Sequence, residues 1–141
     1  MSTVDVDFPE GLGQLALFAD LPRDELEAIV ESCERVSYRE GEWVIRQGDD
    51  LSALYMIIDG EVTTVIDDVD VRILPKGSFF GEVSVLLDEP TSASIVTRSP
   101  VTCLVVPAPE VESFLLSHPR VLYRMLKAEA RRLRTASEIS A

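Results

Sequence analysis

Pro75-Lys-Gly-Ser-Phe-Phe-Gly-Glu-Val-Ser-Val-Leu-Leu-Asp-Glu-Pro-Thr-Ser-Ala-Ser-Ile95 sets a glycine and aromatic turn directly before a short apolar helix, then a proline turn before a β-prone run. A Gly-aromatic-Gly-Glu turn that opens a helix of one and a half turns aims backbone N–H groups and the helix dipole at one spot, an arrangement suited to an anionic group. The carboxylate of Glu82 stands beside that spot and calls for a hydroxyl-bearing partner.

Outward from this stretch the pattern is β-rich on both sides. From Val36 to Val106 the chain runs in short segments of Val, Ile and Tyr, broken by Gly41, Gly48, Asp49-Asp50, Gly60, Asp67-Asp68, Gly77, Pro90 and Pro100. Many short strands with regular turns predict a sandwich or barrel. The expected strands are Trp43-Val-Ile, Ala53-Leu-Tyr-Met-Ile-Ile, Val62-Thr-Thr-Val-Ile, Val69-Asp-Val-Arg-Ile-Leu, Ala93-Ser-Ile-Val-Thr and Val101-Thr-Cys-Leu-Val-Val, with Gly81 to Leu87 the one helical break. Before them, residues 11 to 35 read as helical, with Asp20 as the cap, Pro22 in the first turn, and Leu26, Ile29, Val30 and Cys33 as an apolar stripe. After Pro107 the period returns to 3.6. Val111, Phe114 and Leu115 form one helix, His118-Pro119 a boundary, and Val121, Leu122, Met125, Leu126 and Leu133 a second helix, with residues 135 to 141 expected to fray.

A chain of 141 residues, 46% hydrophobic, suffices for one domain with its own core, here expected over residues 1–141 with the core at about 14–135. No apolar run approaches the roughly 20 residues of a membrane helix, and the acidic Met1-Ser-Thr-Val-Asp-Val-Asp start differs from a secretory signal, so a cytoplasmic protein is expected. A net charge of −12 argues against direct nucleic-acid binding, although Arg120, Arg124, Lys127, Arg131, Arg132 and Arg134 make the last helix basic. Cys33, Cys103 and the single His118 are too scattered for a metal site or a nucleophile–base set, and no paired carboxylates suggest catalysis. No enzyme activity, catalytic residue, metal or cofactor is expected.

Taken in order, Phe18-Ala-Asp-Leu, Glu40-Gly-Glu-Trp-Val-Ile-Arg-Gln-Gly-Asp, Leu54-Tyr-Met-Ile-Ile-Asp-Gly-Glu-Val, Gly77-Ser-Phe-Phe-Gly-Glu, Leu86-Leu-Asp-Glu-Pro and Leu115 to Pro119 carry a family likeness. The chain resembles a cyclic nucleotide-binding domain of the kind found in cAMP receptor transcription factors, kinase regulatory subunits and cyclic-nucleotide-gated channels. The resemblance implies a mainly β fold with flanking α-helices: a double-stranded β-helix, or jelly-roll barrel, with an N-terminal and two C-terminal helices. It also implies that Glu82 accepts a hydrogen bond from a ribose 2′-hydroxyl. The family's phosphate-binding arginine, directly after the proline or one residue beyond, falls here at Thr91, which carries a hydroxyl and no charge. A charge-assisted hydrogen bond contributes about 1.5 to 3 kcal/mol, so its loss weakens phosphate binding on the order of ten- to a hundredfold. The remaining candidate ligand-binding residues are Phe80, Gly81, Glu82, Val83, Thr91 and Ser92, with the amides of residues 81 to 83 and the two hydroxyls as donors. Arg72 and Arg98 are candidates for a replacement charge, although the strand alternation turns Arg72 toward water and Arg98 reads as a turn residue.

Two functions follow from the resemblance. One is a regulatory sensor of cAMP or cGMP, its closing helix folding over the ligand and acting on a protein partner in trans, with no output domain after residue 135. The other is a ligand-free domain of the same fold that serves as an interaction module or as a homodimer through the C-terminal helix.

Overall fold

The computed structural model describes residues 11–50 and 53–140, with side chains as far as residue 136. The acidic start of the chain lies outside them.

A short 3-10 turn, Leu12–Gln14, leads into a loop and then α1, Arg23–Ser32. Asp24 and Glu25 sit in the first turn, where the helix dipole favours acid. Leu26 and Ile29 are buried on one face. The capping residue is Pro22, while Asp20 adopts φ 63° in the preceding turn and makes no cap. The expected continuous helix over residues 11 to 35 is therefore a turn, a loop and a ten-residue helix. The left-handed backbone at Asp20 changes the chain direction before α1 begins.

Among the described residues eight strands follow: β1 Glu34–Tyr38, β2 Trp43–Ile45, β3 Ala53–Asp59, β4 Val62–Ile66, β5 Val69–Leu74, β6 Phe79–Phe80, β7 Ser94–Thr97 and β8 Val101–Pro107. Helix α2, Glu82–Leu87, interrupts them, and α3 (Ala108–Ser117) and α4 (Pro119–Ser140) close the chain. The strands form two four-stranded antiparallel sheets, β1-β8-β3-β6 and β2-β7-β4-β5, the jelly-roll arrangement expected. All six expected strands are present. β1 and β6 were not anticipated: Glu34-Arg-Val-Ser-Tyr is polar at alternate positions and mostly exposed, and it becomes a strand by pairing with the buried β8, Val36 opposite Cys103.

Burial falls into two clusters. Phe18, Ile29, Leu54, Met56, Phe79 and Leu104 pack beneath the helices with Val111 and Val121, while Ile45, Ile57, Val62, Phe80, Ile95 and Cys103 fill the barrel. Each such side chain contributes about 1.5 to 3 kcal/mol. Adjacent residues Phe79 and Phe80 enter different clusters, because successive side chains on a strand point to opposite faces. The turn before α2 is thereby fastened into both cores at once.

The His118-Pro119 boundary between α3 and α4 is as expected, and Glu25 Oε2 lies 3.0 Å from His118 Nδ1, tying that junction to α1. α4 keeps a helical backbone to Ser140, beyond the expected fraying point. Val121 and Met125 are buried, while Leu122, Leu126 and Leu133 are exposed, so the expected single stripe divides between an inner and an outer face. Among the described residues no helix is long and apolar enough to cross a membrane.

Candidate functional site

The residues 81–95 wrap a cavity of about 330 Å³ whose floor is the barrel and whose far wall is formed by Glu129, Arg132 and Leu133 of α4. Phe80, Gly81, Glu82, Val83, Thr91 and Ser92 all line it. Sequence spacing separates the two groups; the return of the chain through Asp88, in the left-handed region at φ 54°, brings them onto one opening.

Gly81 makes this geometry possible. Its φ is 86°, and a Cβ there would overlap the carbonyl oxygen of Ala53. That close approach lets Phe80 stack on Tyr55 with ring centroids 4.7 Å apart and starts α2 with Glu82 facing inward. Val83 is at the rim, partly exposed, and Ser84 Oγ closes the first turn by donating to Gly81 O at 3.1 Å.

Thr91 occupies the cavity wall as a structural tie. Its hydroxyl donates to Arg46 O at 2.7 Å and accepts from Asp49 N at 3.0 Å, and its own backbone bonds Gly48 and Asp49. The O–H anticipated as a ligand donor is thus committed to the residue 46–49 turn. Ser92 is exposed at the cavity edge.

The charge in this site comes from elements away from the cassette. Arg132 of α4 donates through Nη1 to Glu82 Oε1 at 3.3 Å and to Glu129 Oε1 at 2.9 Å, and through Nη2 to Ser78 Oγ at 3.0 Å and Phe79 O at 2.9 Å. Its guanidinium also lies 4.3 Å from the centroid of the Phe79 ring. Two carboxyl groups thus share one half-buried guanidinium. Burial, reinforced by the hydrogen bond and negative charge of Glu129, pushes the Glu82 carboxyl up to about 8, and Arg132 only partly offsets this.

Arg72 also lines the cavity and is half-buried, contrary to the expected outward orientation. In β5 the alternation runs the other way: Val71 and Ile73 are about half exposed and Leu74 is buried. The reason is pairing with β4, which sets Arg72 opposite Thr64, itself a cavity residue. Arg98 stays on the surface, donating to Glu61 Oε1 at 3.3 Å and Thr63 Oγ1 at 3.2 Å.

Sequence reasoning missed Arg132 and Glu129 as members of this site. The available signal was helical: Met125, Glu129 and Arg132 recur at i, i+4 and i+7, on one face with the buried Val121. Among the described residues no cluster of His, Cys, Asp and Glu is assembled for a metal. Cys33 and Cys103 have thiols pushed up to about 11 and about 12, chiefly by burial, so neither is poised as a nucleophile.

Residues 35–118 match the model of the cyclic nucleotide-binding domain. The cGMP-dependent protein kinase of Plasmodium berghei is 32% identical over 119 residues, covering 84% of this chain and 14% of the kinase, and that of Eimeria tenella is 28% identical over 119 residues, covering 84% and 12%. The chain therefore spans only about a seventh of the length of these kinases. Among solved structures, the catabolite activator protein of Thermus thermophilus superposes with a TM-score of 0.75 at 28% identity, covering 86% of this chain and 60% of that one. PKAR CBD2 with Sp-2Cl-cAMPS bound gives 0.76 at 19% identity, covering 96% and 95%, a likeness of fold alone. With the jelly roll, the Gly81-Glu82 turn and the matched residues in agreement, the chain belongs to the cyclic nucleotide-binding domain family.

Proposed function

We propose that this chain is a non-catalytic regulatory module that takes up a cyclic nucleotide, cAMP or cGMP, in the cavity between the barrel and α4, and acts on a protein partner in trans in the cytoplasm. The observation that carries this reading is the contact of Arg132 with Glu82, Ser78 and Phe79: the wall of the cavity is part of a helix, so a ligand on Glu82 acts directly on the position of α4. Glu82 receives the ribose hydroxyl. Arg72 provides the positive side chain that Thr91 does not, and Ser92 provides the free hydroxyl at the edge.

The opposing reading, a ligand-free module of the same fold, draws on Thr91. A hydroxyl already bound to Arg46 and Asp49 has nothing left to donate to a phosphate. Calorimetric titration of cAMP and cGMP against wild type, Arg72→Gln and Thr91→Arg separates the two. Binding by wild type that weakens about tenfold or more in Arg72→Gln supports the sensor. Binding by Thr91→Arg alone means an intact pocket not suited to these nucleotides, and no binding by any of the three favours the interaction module.

A further inference from the structure

α4 is strongly cationic in an otherwise acidic chain. Between Arg120 and Arg134 six cations stand against the single carboxylate of Glu129, in a protein whose net charge is −12. Of all the Ser and Thr residues in the sequence, only Thr135 and Ser137 have a cation three positions earlier, and Thr135 follows Arg131, Arg132 and Arg134 within four positions. Such a run is complementary to an acidic groove on another protein.

The structure leaves the Thr135 hydroxyl open to such a partner. Arg132 reaches the barrel through Ser78, Phe79 and Glu82, while Leu133, Arg134, Thr135 and Ala136 beyond it are all exposed. Among the described residues no buried side chain holds this turn of α4, so it opens at little cost. We propose that Thr135 is a phosphorylation site for a Ser/Thr kinase with an acidic substrate groove, and that its phosphate draws Arg132 away from Glu82. In the transfer the γ-phosphoryl group of ATP passes to Thr135 Oγ1, the bond from the γ-phosphorus to the bridging oxygen breaks, ADP leaves with that electron pair, and a base of the kinase takes the hydroxyl proton.

On a helix the residues three and four positions back adjoin a given side chain, so a phosphate on Thr135 lies beside Arg131 and Arg132. It brings about −1.5 to −2 charges at neutral pH and three acceptor oxygens, against the single carboxyl groups of Glu82 and Glu129 that hold Arg132 in the unmodified chain. Glu82 competes poorly, because burial and the neighbouring Glu129 push its carboxyl up to about 8. Arg132 therefore turns from Glu82, Ser78 and Phe79 to the phosphate, and the end of α4 leaves the cavity wall. Neither the transfer nor this release requires a nucleotide in the cavity.

Mass spectrometry of the full chain, after incubation with Mg·ATP and a Ser/Thr kinase that requires arginine three positions before its acceptor, tests the site. A single phosphate on Thr135 is expected, and Thr135→Val should accept none while keeping the wild-type melting temperature. Hydrogen exchange tests the release. With phosphothreonine encoded at position 135, residues 126–136 should exchange about tenfold faster or more than in the unmodified chain, and the same phosphothreonine in an Arg132→Ala background should add no further acceleration. Transfer to Ser137 or another hydroxyl in place of Thr135, no transfer at all, or a phosphorylated chain that exchanges like the unmodified one overturns the proposal. An equal acceleration in the Arg132→Ala background also overturns it, since the phosphate would then be disrupting the helix end without acting on Arg132.

Discussion

The two ends of the cavity are built by opposite means. At Thr91 a neutral side chain is sewn to the backbone of residues 46 and 49, and nothing there depends on ionisation. At Glu82 a buried carboxyl, a second carboxyl and a guanidinium from a distant helix are held together, and everything depends on it. The first end is fixed by the barrel alone. The second is complete only when α4 is docked, so the charge of the site is a property of tertiary packing and is lost if the helix moves.

Breaking the charged end should have the larger effect. Arg132→Ala removes four hydrogen bonds and the contact over Phe79, and leaves Glu82 buried beside Glu129 without a cation. A loss of about 2 to 4 kcal/mol in stability is expected, measured by denaturant unfolding, together with faster amide exchange in residues 126–136. Unchanged stability would mean that α4 is held by the buried Val121 and Met125 and by the hydrogen bonds of Arg120 and Arg124 to Asp20 O and Leu17 O.

Breaking the neutral end should cost less. Thr91→Val leaves Arg46 O and Asp49 N without their side-chain partner, for a loss of about 1 to 3 kcal/mol. If the two ends are independent, the double variant with Arg132→Ala should show additive losses to within about 0.5 kcal/mol. A larger coupling would make the cavity one cooperative unit.

A further test separates the ends by pH. The Glu82 carboxyl is raised from its ordinary 4.5 to about 8 in the folded chain, so between these values the native state holds a proton that the unfolded state has released. Stability attributable to Glu82 is therefore fully present below pH 4.5 and is lost as pH rises through about 8, at no more than about 1.4 kcal/mol per pH unit. Denaturation across this range should show the decline in wild type and in Thr91→Val, and a flatter profile in Glu82→Gln.

The reach of sequence reasoning differed between these regions for a physical cause. Strands such as Val62–Ile66 and Val101–Pro107 declare themselves through local β-branched runs between turn residues. Glu34–Tyr38 does not, because its strand character comes from pairing with β8. Residues 80 to 83, 91 and 92 were legible as one wall because they share a single local motif. Arg72 was misread as outward-facing, since apolar neighbours normally point inward and here the β4 register reverses the assignment. Thr91 was read as a donor, and the bonds that occupy it come from a turn more than 40 residues away in sequence.

By itself the sequence determined the class of fold, the order of six of the strands and of the two closing helices, the place of the Gly81-Glu82 turn and the absence of an arginine at position 91. These are local matters of periodicity, turn chemistry and residue identity. Only the tertiary structure decided that Phe79 and Phe80 anchor the turn in two cores, that Thr91 is tied to residues 46 and 49, and that Arg132 from the far end of the chain meets Glu82. Those contacts span up to 50 residues, and no local propensity encodes which charged group will face another across such a separation.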